Sequence, residues 1–191
     1  MVNISDTEMV HSLGAFKGAA LLLVDIQARL APAIPDTPRV VPRITTLIEK
    51  ARQAGLPILA TEQYSRGLGP TVPELRDLLR PEEVFEKIHF AAPREAAFRE
   101  ALQARGIDRC LVAGMEAHVC VLQSVLALLA AGVGVTVVGD AVASRVDLNR
   151  RLALARMVRA GAELTDSQAA AAALAGQGAG QGQAPAAPLS P

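Results

Sequence analysis

"DRCLVAGMEAHVCVLQSVLALLAAGVGVTVVGDAV", residues 108–142, holds the pattern that decides the fold. It opens on a short apolar run, "DRCLVAG" (108–114), that reads as a strand. Residues 117–131 read as a helix. "GVGVTVVGDAV" (132–142) then returns as a second strand. Strands that are apolar on both faces belong in the middle of a parallel sheet, where helices cover them on each side.

The same alternation extends outward in both directions. Upstream, "AALLLVDIQ" (19–27) is a continuous apolar run ending in an acid, as expected of a central parallel strand. "PRVVPRITTLIEKARQAG" (38–55) has helical apolar spacing and closes on Gly55, a residue suited to ending a helix. "LPILATEQ" (56–63) is a second strand, "YSRGLGPTVPEL" (64–75) a loop rich in Gly and Pro, and "EEVFEKIHF" (82–90) a short strand. "PREAAFREALQARG" (93–106) is a helix with Pro93 at its start and Gly106 past its end. Downstream, "LNRRLALARMVRAG" (148–161) is an amphipathic helix. "AELTDSQAAAAALAG" (162–176) gives a short strand and an Ala-rich helix capped by Thr165 or Asp166. The expected organisation is an N-terminal extension (1–18), one α/β domain (19–175) and a low-complexity tail (176–191). The tail is too poor in apolar residues to fold. No internal repeat is visible.

Composition narrows the function. The 191 residues carry 19 basic and 19 acidic side chains, so no nucleic-acid groove or anionic membrane is indicated as a partner. Four Phe, one Tyr and no Trp leave little on which bases could stack. Two cysteines, Cys110 and Cys120, are too few for a secreted disulfide framework and suggest free thiols in a reducing cytoplasm. The N-terminal "MVNISDTEMVHSLGAFKG" has acids and no long apolar region, unlike a signal or transit peptide. No apolar run approaches the roughly 20 residues that cross a bilayer.

Open α/β sheets bind ligands beyond the carboxyl ends of their strands. The polar residues expected there are Asp25 and Gln27; Thr61, Glu62 and Gln63; Glu86, Lys87 and His89; Glu116, His118 and Cys120; and Asp140. Cys120 falls in the first turn of its helix, where unpaired N–H groups carry partial positive charge and favour a thiolate. Those groups would also hold an oxyanion. Asp25 could accept the thiol proton, and Lys87 could supply a cation. Each residue has a plainer reading too. Cys120 and Cys110 could be packed apolar side chains, Asp25 a loop cap, and Lys87 a solvated charge. His89 and His118 could be structural, and Glu62 and Glu86 rim charges.

Taken together, "LLLVDIQ", "TEQYSRGLGPTVPEL", "FEKIHF", "VAGMEAHVCVLQSVLALLAAG", "VVGDAVASR" and "RMVRAGAELTDSQ" resemble the isochorismatase-like cysteine hydrolases. The ordered set spans about residues 19–174. The pair "TEQY…GLGPTVPEL" and "GMEAHVCV" is most similar to the isochorismatase domain-containing subgroup. The resemblance implies a Rossmann-like three-layer α/β/α sandwich with a six-stranded parallel sheet. It implies an Asp25–Lys87–Cys120 triad in which Cys120 forms a covalent thioester. It also implies an oxyanion hole made by the N–H groups of Glu116 and Cys120, next to a cis Met115–Glu116 bond. Gln27, Tyr64, His89, His118 and Leu122 are its pocket candidates.

Departures from relatives narrow the chemistry. Metal-dependent nicotinamidases of this family carry an Asp and two His after the second strand, whereas "TEQYSRGLGP" has no His. No catalytic metal or other cofactor is therefore expected. Isochorismatases acting on an enol ether often lack the Cys, so its presence favours a small carboxamide or related acyl substrate. Two other readings remain: a non-catalytic member of the fold serving as a binding or oligomeric assembly module, and a redox-sensing thiol, which would lack an obvious resolving partner. Exposed, apolar-rich helices of this family commonly form oligomer contacts, so the resemblance also implies a homo-oligomer.

Overall fold

The computed structural model describes residues 18–178. Nearly all of the expected N-terminal extension, and the tail beyond residue 178, lie outside the described residues. Six strands form one fully parallel sheet in the order β3-β2-β1-β4-β5-β6. They are β1 (Ala19–Val24), β2 (Ile58–Gln63), β3 (Val84–Lys87), β4 (Arg109–Met115), β5 (Gly134–Ala143) and β6 (Glu163–Thr165). Five longer helices accompany them: α1 (Thr37–Gln53), α2 (Ala96–Ala104), α3 (Leu122–Ala130), α4 (Asp147–Arg159) and α5 (Ser167–Gly178).

β1 shows why the sheet is covered on both sides, since each of its residues is buried. Leu21 and Leu23 point to one core, shared with Ile44 and Leu47 of α1 and Leu174 of α5. Leu22 and Val24 point to the other, shared with Phe98 of α2, Val125 and Leu128 of α3 and Met157 of α4. A period of two thus divides a run with no polar residue between two hydrophobic layers. Burying each such Leu or Val contributes about 1.5–3 kcal/mol, which makes β1 the strand least tolerant of change. The three-layer α/β/α sandwich expected from the sequence is the observed fold.

Local boundaries follow local chemistry. α1 stops where Gly55 takes φ +69° and the Leu56 N–H donates back to the Ala51 carbonyl. Asp166, rather than Thr165, caps α5: its Oδ1 accepts from the N–H groups of Gln168 (2.9 Å) and Ala169 (2.8 Å). The start of β3 is fastened by Glu83, which takes both Arg52 guanidinium nitrogens and the Arg80 N–H.

Several boundaries differ from those expected. The third strand spans four residues rather than 82–90, because the chain turns after Lys87. Pro93 sits in a 3-10 turn (Ala92–Arg94), and α2 starts only at Ala96. The 64–75 segment contains two single-turn helices, Ser65–Leu68 and Pro73–Arg76. The 117–131 helix opens as a π-turn over Ala117–Val121. α5 runs through to Gly178.

β1 and β4 are neighbours, yet the helices that follow them pack on opposite faces of the sheet. In open α/β sheets this divergence marks the place, beyond the carboxyl ends of the strands, where ligands bind. Gly114 makes the strands' close approach possible. It adopts φ +131°, and a Cβ there would lie 2.1 Å from the Val24 carbonyl oxygen.

Candidate active site

Register brings the site residues to one level of the sheet. Val24 pairs with Thr61 on one side and with Gly114 on the other, and Gln63 pairs with Lys87. Asp25, one residue past β1, therefore lies beside the ends of β2 and β4. Asp25 takes a left-handed backbone (φ +50°), uncommon for a residue with a side chain. Its N–H donates to the Thr61 carbonyl at 3.1 Å, and its own carbonyl accepts from the Gln27 N–H at 2.9 Å.

The Asp25 side chain is wholly buried. Oδ1 accepts the Thr61 hydroxyl at 2.6 Å. Oδ2 lies 2.7 Å from the Lys87 ammonium nitrogen. Oδ2 has no hydrogen-bond partner among the described residues, so beside the ion pair it keeps lone-pair capacity. Lys87 is equally buried and also donates to Gln63 Oε1 at 2.8 Å and to the His89 carbonyl at 3.3 Å. A buried ammonium with this many acceptors is held in one orientation.

Cys120 completes the group. It lies in the π-turn that follows β4 and is 7% exposed. Burial, and then the charge of Asp25, push the thiol up to about 12, against the opposing pull of Lys87. Burial likewise raises the Asp25 carboxyl, with Lys87, Cys120 and Thr61 pulling it back. A helix start favours the thiolate, whereas burial and the Asp25 charge act in the opposite direction here. Cys110 differs: it is sealed inside β4, and burial alone raises it to about 12.

The peptide bond Met115–Glu116 is cis, as the family resemblance implied. Glu116 is buried and accepts from the Arg145 N–H (3.2 Å), Nε (3.0 Å) and Nη2 (2.9 Å). Burial works to raise its carboxyl, but the Arg145 bonds outweigh that and hold it below the usual carboxylate range. The turn leading to Cys120 is thereby tied to the segment after β5. The Glu116 N–H donates to no protein acceptor among the described residues.

The pocket candidates separate into two groups. Tyr64 (56% exposed, φ +40°) and His89 lie at the rim, the latter with Nδ1 2.9 Å from Glu95 Oε1. Gln27 is instead a buried brace. Its amide accepts from the Gln63 N–H at 2.8 Å and donates to the carbonyls of Gln63 (3.0 Å) and Gly69 (2.6 Å), leaving little capacity for a substrate. His118 turns toward α4, with Nδ1 3.1 Å from Ser144 Oγ. Leu122 is part of the core beneath α3. Glu62 and Glu86 hold the 64–71 loop, through Thr71 and the Ser65 N–H respectively. Asp140 binds Arg43 and Ser167 and so joins β5 to α1 and α5. Thr61 and Gln63 were expected at this end of the sheet only as polar strand-end residues, without individual tasks. Their i, i+2 spacing at a strand end, which puts them on one face, was the available signal.

The family model described as Isochorismatase domain matches residues 19–169. The chain belongs to the isochorismatase family. Isochorismatase domain-containing protein 2A of Mus musculus is 38% identical over 154 residues, covering 80% of this chain and 72% of the mouse protein. The structure of MAR1 ribonuclease from Caenorhabditis elegans is 37% identical with a TM-score of 0.76, covering 83% of this chain and 81% of that one. The YcaC gene product of Escherichia coli, described as an octameric hydrolase of unknown specificity, is 31% identical with a TM-score of 0.73, covering 80% and 77%. Family and neighbours together support hydrolase activity in general terms for this isochorismatase-family chain. No helix among the described residues is long and apolar enough to cross a membrane.

Proposed function

We propose that this chain is a metal-independent cysteine hydrolase acting on a small carboxamide or related acyl compound. The observation that carries the reading is the buried Asp25–Lys87 ion pair at the carboxyl end of the sheet, with the buried Cys120 in the turn that follows neighbouring β4. Such a group can run acyl transfer with no outside reagent except water. Sulfur attacks the carbonyl carbon while Asp25 Oδ2 takes its proton. The resulting oxyanion is held by the N–H groups of Glu116 and Cys120. Collapse breaks the C–N bond, and Asp25 returns the proton to the departing amine, leaving a thioester on Cys120. Asp25 then takes a proton from water as its oxygen attacks the thioester, and delivers it to the leaving sulfur. Lys87 keeps Asp25 charged between these transfers.

Among the described residues, no three His, Cys, Asp or Glu side chains gather closely enough to hold a metal. A ribonuclease reading, suggested by the name of the Caenorhabditis elegans relative, finds no support in a net charge of zero or in the scarcity of aromatic residues. The YcaC octamer supports a homo-oligomer for this chain as well, and two free thiols suit a cytoplasmic setting.

The test is a screen of small amides, acyl compounds and a short RNA with the wild type, Cys120→Ala and Cys120→Ser. Amide or ester turnover that both variants lose while keeping the wild-type circular dichroism spectrum supports the proposal. RNA cleavage, or amide turnover that survives in Cys120→Ala, overturns it.

A further inference from the structure

We propose that Thr61 is a positioning residue that decides which oxygen of Asp25 takes the Cys120 proton. This inference rests on the cysteine-hydrolase reading above and adds a residue to it. Asp25 has two oxygens, and a general base that must accept and return one proton repeatedly works best if one of them is reserved for it. The Thr61 hydroxyl occupies Oδ1 at 2.6 Å, a short charge-assisted bond between two buried side chains. Oδ2 retains the ion pair with Lys87 and spare lone-pair capacity. The Thr61 carbonyl also accepts the Asp25 N–H, so a single residue holds both backbone and side chain of a residue at φ +50°.

The surroundings leave few other candidates for this task. The charged and titratable groups facing Asp25 are Lys87 from β3 and Cys120 from the turn after β4; β2 contributes the uncharged Thr61 hydroxyl. Lys87 is itself fixed by Gln63 and the His89 carbonyl, so it cannot turn to serve Oδ1. Thr61 is 1% exposed, which prevents water from replacing its hydroxyl. Losing that bond makes both oxygens of Asp25 more basic.

The measurement is the rate of Cys120 alkylation by iodoacetamide against pH, read by mass spectrometry on the full chain. It needs no known substrate. Thr61→Ser keeps the hydroxyl and should overlay the wild type. Thr61→Val should move the acid limb to higher pH by about one unit, the shift expected from one lost bond to a charged group. Thr61→Ala repeats the test in case Val does not fold. If Val and Ala both track the wild type, or Ser moves as far as they do, Thr61 has no such role. A limb that moves in a protein inert toward every amide would retain the Thr61 inference and sink the hydrolase reading. Amide turnover with an unmoved limb would do the reverse.

Discussion

Gly114 and Val24 touch backbone to backbone across the β1–β4 pair, at the level where the site opens. No other residue type fits. A methyl group would collide with the Val24 N, C and O atoms, none of which can rotate away, and φ +131° is itself unfavourable for a side chain. Gly114→Ala should cost about 3 kcal/mol or more, combining overpacking with backbone strain. Urea unfolding followed by circular dichroism measures it. An unchanged midpoint would mean that the strands separate freely here.

The Lys87–Asp25 pair should behave as a unit. Lys87→Met leaves a carboxylate buried without its cation, which costs about 3–5 kcal/mol. Replacing both charges, in Asp25→Asn with Lys87→Met, should recover much of that stability and none of the turnover. The checks are a double-mutant cycle of unfolding free energies and an activity assay of the double variant.

Cys120 should be a slow nucleophile toward a generic reagent and a fast one toward an acyl probe. Its thiol is pushed up to about 12, so little thiolate exists at pH 7 until Asp25 receives the proton. Iodoacetamide should therefore label Cys120 more slowly than free cysteine. Cys110, sealed in β4, should remain unlabelled until the chain unfolds. Peptide mapping after timed quenching separates the two sites, and rapid labelling of folded Cys110 would contradict the packing described.

Acid should loosen the molecule through Glu83 and Glu116. Both carboxyls lie below the usual carboxylate range in the folded chain, held there by Arg52 and Arg145 against the opposing effect of burial. A depressed folded value means that the unfolded chain binds protons first as pH falls. The stabilisation is thus complete above the unfolded value of about 4.3 and fades as pH drops through the folded values. The melting temperature should fall between pH 5 and pH 3 by roughly several degrees. Glu83→Gln should flatten that slope while lowering stability at pH 7.

Gln27→Leu should free the 64–71 loop without emptying the core. It removes three bonds to the main chain at Gln63 and Gly69, each worth about 1 kcal/mol. Limited proteolysis should then cut near Arg66, and protection equal to the wild type would remove the brace assigned to Gln27.

Much of this arrangement was readable in the chain. Asp25 stood out because a charged residue ends a run that is otherwise apolar, and the sheet followed from alternating strand and helix signals. Other features depended on contacts that no local pattern encodes. The task of Thr61 arises from its register opposite Val24, on a strand more than thirty residues away. Gln27 looked like a pocket residue because its partners, the main chain at Gln63 and Gly69, come together only once the loop folds over it. The π-turn at Ala117–Val121 was hidden inside an apolar stretch whose spacing suits a π- or α-turn equally well. The high proton affinity of Cys120 comes from burial and from Asp25, neither of which a helix-start argument includes.

The spatial order β3-β2-β1-β4 gathers the acid, the amine and the sulfur from β1, β3 and the turn after β4, which come together only after the three crossovers between β1 and β4 have closed. Parallel pairing of this kind is non-local and slow to nucleate. A partly folded intermediate that had docked β1 against β2 alone would bring Asp25 to Thr61 but leave both Lys87 and Cys120 unplaced. Regain of the Cys120 signature during refolding should therefore report closure of the β3-β2-β1-β4 part of the sheet, making the thiol an internal clock for that step.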